Sequence, residues 1–195
     1  MISTDQVKQL RDQTGISVMQ CKKALEEAGG DMEKALIILR KKGADIATKK
    51  ADRTLGAGVV SAYIHGNATV GAIVELSCET DFVAKNEEFK ALAYDIAMHV
   101  AASNPEYLKA EDVSEDAKAK AREVFEKEIK GKPAAIADKI MQGKLLAYFG
   151  ERTLLDQPFI KNPDLTVNDL IQSGIQKFGE KIEVARFARF SVLEK

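Results

Sequence analysis

A chain of 195 residues that is 45% hydrophobic has material for one ordinary domain and a small appendage around a buried core. Its 29 basic and 30 acidic side chains nearly cancel, which weighs against bulk electrostatic attraction to nucleic acid or to an anionic membrane. No apolar run reaches the roughly 18 residues of a membrane span, and the start Met1-Ile2-Ser3-Thr4-Asp5 lacks the basic-then-apolar plan of a signal peptide, so a cytoplasmic location is expected.

The first segment reads as three short helices. Ser3 and Gln6 form a capping box before Val7 and Leu10, and Thr14-Gly15 breaks the first helix. A second box, Ser17 to Gln20, opens a helix with Val18, Cys21, Leu25 and Ala28 on one face, stopped by Gly29-Gly30. Asp31 caps the third, whose Met32, Ala35, Leu36 and Leu39 make one apolar stripe before Gly43. Residues 1–43 are therefore expected to be a three-helix module, and residues 44–57, with Lys49, Lys50 and Arg53, a linker. Residues 1–55 hold 11 basic and 8 acidic side chains against 18 and 22 in the remainder, which suggests two surfaces of different character rather than a nucleic-acid arm.

Residues 58–195 read as an α+β core. Val59 to His65 and Val70 to Cys78 are strand-like and meet through Gly66-Asn67, a pair that tolerates positive φ. Asn86 to Ala102 is helical, burying Phe89, Leu92, Ala93, Ile96, Ala97 and Val100, and Pro105 lies just beyond. A helix from Ser114 to Ile129 is separated by Gly131-Lys132-Pro133 from another over Ala134 to Phe149, in which Ile136, Ile140 and Leu145 face inward. Thr166 opens a helix with Val167, Leu170, Ile171 and Ile175 on one side, and Gly179 ends it. The Val-, Ile- and Phe-rich run from Ile182 to Leu193 is a closing strand that pairs with the hairpin. Three strands leave edges and faces that the helices only partly cover, so a homodimer through the sheet is expected.

Residues that could carry chemistry are few. Cys21 and Cys78 lie outside any metal-ligand spacing, and the two histidines, His65 and His99, have no second ligand near them in sequence. A Cys78–His65 nucleophilic pair is conceivable, but Cys78 ends a strand expected to be buried. There is no phosphate-cradling glycine loop, so any nucleotide chemistry belongs to a partner and no cofactor is expected. Met19 falls out of register with the inward face of its helix, among Lys22, Lys23 and Glu26; it either projects to solvent as a contact or packs on a neighbouring segment. The stretch Glu75-Leu76-Ser77-Cys78-Glu79-Thr80-Asp81-Phe82-Val83-Ala84-Lys85-Asn86 leaves a strand and enters a helix. It places Phe82 and Val83 at an end of the sheet, with Thr80 or Asp81 as cap. Phe82 is either a plug for the sheet–helix corner or an exposed wedge.

These residues resemble the bacterial translation elongation factor Ts family. Leu10-Arg11-Asp12-Gln13-Thr14-Gly15 through Met19-Gln20-Cys21-Lys22-Lys23-Ala24-Leu25 is similar to its N-terminal signature, and Glu75 to Lys85 to its second, built around Thr-Asp-Phe-Val. Likeness continues through Ile96-Ala97-Met98-His99-Val100-Ala101-Ala102-Ser103, Gln157-Pro158-Phe159 and the closing strand, covering nearly the whole chain. The resemblance implies a non-enzymatic guanine-nucleotide exchange factor for elongation factor Tu, with an N-terminal module similar to ubiquitin-associated domains. It implies that Thr80, Asp81, Phe82 and Val83 form a wedge that dislodges the partner's magnesium ion. Arg11, Met19 and Lys22 become contacts of the first module, and His99 a possible second contact. The second signature runs quickly into the Ile96 block, as in compact members that pair two chains, which favours the dimer. Ala24-Leu25, Gly29-Gly30-Asp31 and Ala35-Leu36 also resemble ubiquitin-associated adaptors, which would not need Thr80 to Asn86.

Overall fold

The computed structural model describes residues 2–129 and 133–192. Gly131 and Lys132 of the expected break, and Leu193 at the end of the expected last strand, lie outside the described residues. The elements run α1 (Thr4–Thr14), α2 (Val18–Glu27), α3 (Met32–Lys49), β1 (Ala57–Ile64), β2 (Val70–Cys78), α4 (Asp81–Ala84), α5 (Glu87–Ser103), α6 (Glu115–Ile129), α7 (Ala134–Gly150), β3 (Pro158–Phe159), β4 (Asn162–Thr166), α8 (Val167–Phe178) and β5 (Ile182–Ser191). The fold is α+β, as expected from the sequence.

Each opening helix starts at the cap its sequence supplies. Ser3 and Gln6 exchange backbone and side-chain bonds, the Ser17 hydroxyl accepts from the Gln20 amide, and the Asp31 carboxylate accepts from the Lys34 amide. Val7, Leu10, Ile16, Cys21, Ala24, Leu25, Ala35 and Leu39 make a small core between the three. Val18 does not belong to it. It is exposed, because it sits beside the cap at the very start of α2 while the buried stripe begins a turn later at Cys21.

Gly43 does not end α3 either. The helix continues to Lys49, and Gly43 is buried where α3 meets α8. A Cβ at this position would lie 3.3 Å from the Gln172 carbonyl oxygen and 3.4 Å from Gln176 Oε1, so the glycine serves close backbone approach rather than termination. The segment outside regular structure is consequently shorter than residues 44–57, and Ile46 and Ala47 on the extended part of α3 pack against the main core.

The sheet has order β1-β2-β5, antiparallel throughout. The β1–β2 connection closes with the His65 amide donating to Val70 and the Ala68 amide to His65; the residue with positive φ is Ala68 (57°), not the expected Gly66 or Asn67. A connection of this length is commonly built as a turn followed by one left-handed residue, which fixes the position but not the residue type. Between Glu75 and Leu76 the pairing to β5 skips Ala185, an extra residue that rephases the strand. On one face Ala72, Val74, Leu76, Cys78, Ile182 and Val184 meet Phe89, Ala93, Ile96, Ala97 and Val100 of α5, and Val167, Ile171 and Ile175 of α8 complete this core. The other face carries exposed Val60, Ile64, Ile73 and Phe190.

Helices α6 and α7 pair with each other around Val113, Ala121 and Phe149. Of the residues expected to face inward on α7, Ile136 is exposed and Ile140 and Leu145 are half-buried, because the buried cluster that α7 shares with α6 and Tyr107 centres on Phe149 at its far end. The small β3–β4 pairing and the single turn α4 were not foreseen from the sequence. No helix among the described residues is long and apolar enough to cross a membrane.

Candidate functional site

Strand β2 ends at the buried Cys78, and within three residues the chain turns into α4, whose single turn is closed by the Ala84 amide donating to Thr80 and the Lys85 amide to Asp81. Val83 (4% exposed) and Ala84 enter the main core, which fixes the rotation of the turn. With about 100° per residue, burying positions 83 and 84 turns Asp81, Phe82 and Lys85 outward. Phe82 is 80% exposed, so it does not plug the sheet–helix corner, which Val83 fills instead. Asn86 caps α5, its side-chain oxygen accepting from the Glu88 amide at 2.8 Å, so the tip stands directly before a rigid seventeen-residue helix.

Thr80 is the N-cap of α4 by position, but its hydroxyl is not spent on the helix. It donates to Glu180 Oε1 at 2.6 Å, while Glu180 Oε2 accepts from the Glu79 and Thr80 amides at 3.1 and 3.0 Å. The arrangement is reciprocal: the Lys181 amide donates to Glu79 Oε1 at 2.6 Å. Lys50 and Arg53 lie 3.6 and 3.8 Å from the Glu79 carboxylate, and Lys181 Nζ donates to the Ala51 carbonyl. Three connections distant in sequence are thereby tied behind the tip. The Lys181 amide, followed by the Lys50 and Arg53 charges, holds the Glu79 carboxyl below its ordinary range.

At the tip, Lys85 Nζ lies 2.5 Å from Asp81 Oδ2, and this bond and charge hold the Asp81 carboxyl below its usual value. Asp81 is ionised at neutral pH and carries its own counterion. Burial, with the Glu180 charge, pushes the Cys78 thiol up, and the thiol donates to the Thr80 carbonyl at 3.2 Å. His65 lies at the opposite end of β1, since Ala57 pairs with Cys78; eight residue steps along the strand separate them by about 26 Å. The conceivable Cys78–His65 pair is therefore not assembled.

The first module presents Arg11 on α1 and Met19 and Lys22 on α2, all exposed, with Met19 at 70% and Lys22 3.9 Å from Glu26. Met19 and Lys22 are three apart on one helix, hence neighbours on its surface. His99 is not at the surface. It is wholly buried, its Nδ1 accepting from the Ile160 amide at 3.3 Å and its Nε2 bonded to Gln157 Oε1 at 2.9 Å. An acceptor at Nδ1 places the proton on Nε2, and burial pushes the imidazole pKa down, so the ring is a neutral brace for β3 and offers nothing to a partner.

The family sequence model described as Elongation factor TS matches residues 7–194. This chain belongs to the elongation factor Ts family. It is 53% identical to Elongation factor Ts of Carboxydothermus hydrogenoformans over 196 aligned positions, covering 100% of this chain and 90% of that protein. It is 51% identical to that of Thermodesulfovibrio yellowstonii, with 98% and 96% covered, and 48% identical to that of Thermosipho melanesiensis, with 100% of both covered. The resemblance points to Thr80, Asp81, Phe82 and Val83 and does not single out Glu79, Glu180, Lys181, Lys50 or Arg53, which the structure gathers behind them. Only Gly179, marking a turn before Glu180, hinted at them; nothing local says that a carboxylate there reaches Thr80 a hundred residues earlier.

Proposed function

We propose that this elongation factor Ts family member is a guanine-nucleotide exchange factor for elongation factor Tu: it binds the GDP-loaded GTPase, promotes loss of its magnesium ion and GDP, and leaves the site open to GTP. The supporting observation is the Phe82 ring, 80% exposed on a turn whose next two residues are anchored in the core. An aromatic side chain held in water gains when a partner buries it.

The mechanism needs no covalent step. If Phe82 fits the nucleotide-free partner and not the loaded one, linkage makes GDP bind the complex more weakly by the same ratio. Burying one Phe is worth roughly 2 to 3 kcal/mol, which corresponds to some 30- to 150-fold. Asp81 enters beside the magnesium site with Lys85 already on it, so the tip carries little net charge and the apolar ring supplies most of the state-dependent energy. Thr80 sets the start of the turn and Val83 anchors it. Arg11, Met19 and Lys22 hold the GTPase in both states.

In this reading residues 1–43 are the gripping module, similar to ubiquitin-associated domains, the connection is cut to residues 50–56 by the continuation of α3 to Lys49, residues 58–195 are the core, and the protein works in the cytoplasm without cofactor, membrane or nucleic acid. The open sheet face is covered by a second copy of the chain. Opposite the α5 side, Ala62, Ile73 and Ala188 lie in one row and Ile64, Gly71 and Phe190 in the next, and the Glu75–Arg186 pair, 2.5 Å apart, satisfies its own charges. Such a face is apolar and self-neutral, which suits a twofold contact.

The test is release of labelled GDP from elongation factor Tu. The chain accelerates it, and Phe82→Ala lowers the maximal rate far more than the affinity. Equal losses in both would remove the wedge from the mechanism.

A further inference from the structure

The tip cannot orient itself. A helix of one turn has too few internal bonds to hold its own direction, and Phe82, at 80% exposure, makes little packing contact of its own. Its direction is set by Val83 and Ala84 from within and by whatever holds the two residues before it. Those are Glu79 and Thr80, and both of their amides are taken by one carboxylate oxygen of Glu180 while the second oxygen takes the Thr80 hydroxyl. Glu180 is the middle residue of the three-residue connection between α8 and β5, flanked by Gly179, which ends α8 at φ 71°, and Lys181, which precedes β5. Lys181 in turn gives its amide to Glu79 and its ammonium to the Ala51 carbonyl.

We infer that Glu180 is the positioning residue of the Phe82 wedge, a carboxylate that fixes the direction of the ring by gripping the backbone of Glu79 and Thr80. The assignment rests on the exchange reading above and adds to it a residue from the far end of the chain. Glu180 does not touch the GTPase; it acts through Thr80. Three bonds to a single charged acceptor resist rotation of the segment in a way that one bond would not. A ring misdirected by about 1 Å loses much of the rate that correct placement supplies.

The experiment compares Glu180→Ala, Glu180→Gln, Phe82→Ala and the double variant Glu180→Ala/Phe82→Ala. Two readouts are taken: labelled GDP release from elongation factor Tu over a range of factor concentrations, and NMR order parameters of the Thr80, Asp81 and Phe82 amides in the free protein. Glu180→Ala is expected to lower the maximal release rate about tenfold, with the half-saturating concentration changed less than twofold, and to loosen the three amides. Glu180→Gln, which keeps one acceptor oxygen, recovers part of the rate. The double variant releases GDP no more slowly than Phe82→Ala alone, because a positioning residue has nothing left to position. Additive losses, or a full rate in Glu180→Ala, would overturn the assignment. If Glu180→Ala does not fold, Thr80→Val removes only the hydroxyl bond and is expected to give a smaller loss with the same non-additivity toward Phe82→Ala. Should the wild-type chain fail to release GDP, the exchange reading falls. The order parameters then decide separately: unchanged amides in Glu180→Ala would dismiss the positioning role, and loosened ones would keep it for whatever partner the tip meets.

Discussion

Phe82 and Val83, neighbours in the chain, lie on opposite sides of the protein surface: the first is 80% exposed and the second 4%. Substituting each by alanine should therefore separate function from folding. Phe82→Ala is expected to leave stability within about 0.5 kcal/mol of wild type. Its maximal GDP-release rate falls by up to the roughly 30- to 150-fold that burial of one ring supplies. Val83→Ala opens space in the main core and costs about 1 to 3 kcal/mol, with exchange affected only as far as α4 is loosened. Urea unfolding beside the release assay reads both; a loss of stability in Phe82→Ala would mean that the ring packs in solution.

Met19→Ala is expected to weaken binding to elongation factor Tu without lowering the maximal release rate, since the side chain is exposed on the first module and remote in sequence from the tip. A roughly five- to tenfold loss of affinity by titration is anticipated, equivalent to about 1 to 1.4 kcal/mol. Unchanged affinity would leave α2 outside the contact.

The contact of α3 with α8 should tolerate no side chain beyond the smallest. Gly43→Val brings a branched side chain against the Gln172 carbonyl, 3.3 Å from where its Cβ must sit, and is expected to destabilise by about 1 to 3 kcal/mol. Gly43→Ala gains roughly 1 kcal/mol of helix propensity against the same tight contact and should be clearly milder. Denaturant midpoints of the three proteins check this order; a valine variant as stable as wild type would show that α3 and α8 part easily.

His99 gives the fold a pH dependence of definite sign. Burial lowers its pKa in the folded chain below the ordinary 6.5, so as pH falls the unfolded chain takes up the proton first. The stability associated with the neutral ring is complete above about pH 6.5 and declines below it until the folded-state pKa is reached. Protonation would also cost the bond from the Ile160 amide to Nδ1. Urea midpoints measured from pH 8 to pH 5 should fall across this window, and the slope should flatten in His99→Gln. A flat profile in the wild type would mean that the ring can be protonated in place.

For the sheet face, Phe190→Glu puts a charge at the β5 end of the exposed apolar row and should give monomers by analytical ultracentrifugation while leaving the far-ultraviolet circular dichroism unchanged. A wild-type chain that is strictly monomeric at tens of micromolar would remove the dimer from the reading.

Local chemistry was legible in the sequence. Ser3, Asp31 and Thr166 cap the helices that follow them, Gly179 ends α8, and alternation in β2 sorts its residues between core and open face. The stretch from Glu75 to Asn86 could be recognised as the tip, although which of Phe82 and Val83 is buried depended on the rotation of α4, set by core contacts and not by pattern. Gly43 reads locally as a stop and acts as a close-approach residue, which only the presence of α8 reveals. His99, a possible second contact by the resemblance, falls three residues after Ile96 and beside Val100 in the buried stripe, so its burial is readable from the same periodicity. Glu180 was not readable at all, since its partners lie about a hundred residues away.

Helix α3 starts in one core and finishes against another. Its eighteen residues span about 27 Å and make it a strut between the first module and the core, the two proposed grips on a partner. If the proposed exchange reading holds, a GTPase that lets go of Phe82 while still held by α1 and α2 would find the ring again at a fixed reach, at a high effective concentration set by the strut and independent of how much factor is in solution. Inserting a flexible break at Gly43 would lower that recapture while leaving each grip chemically intact.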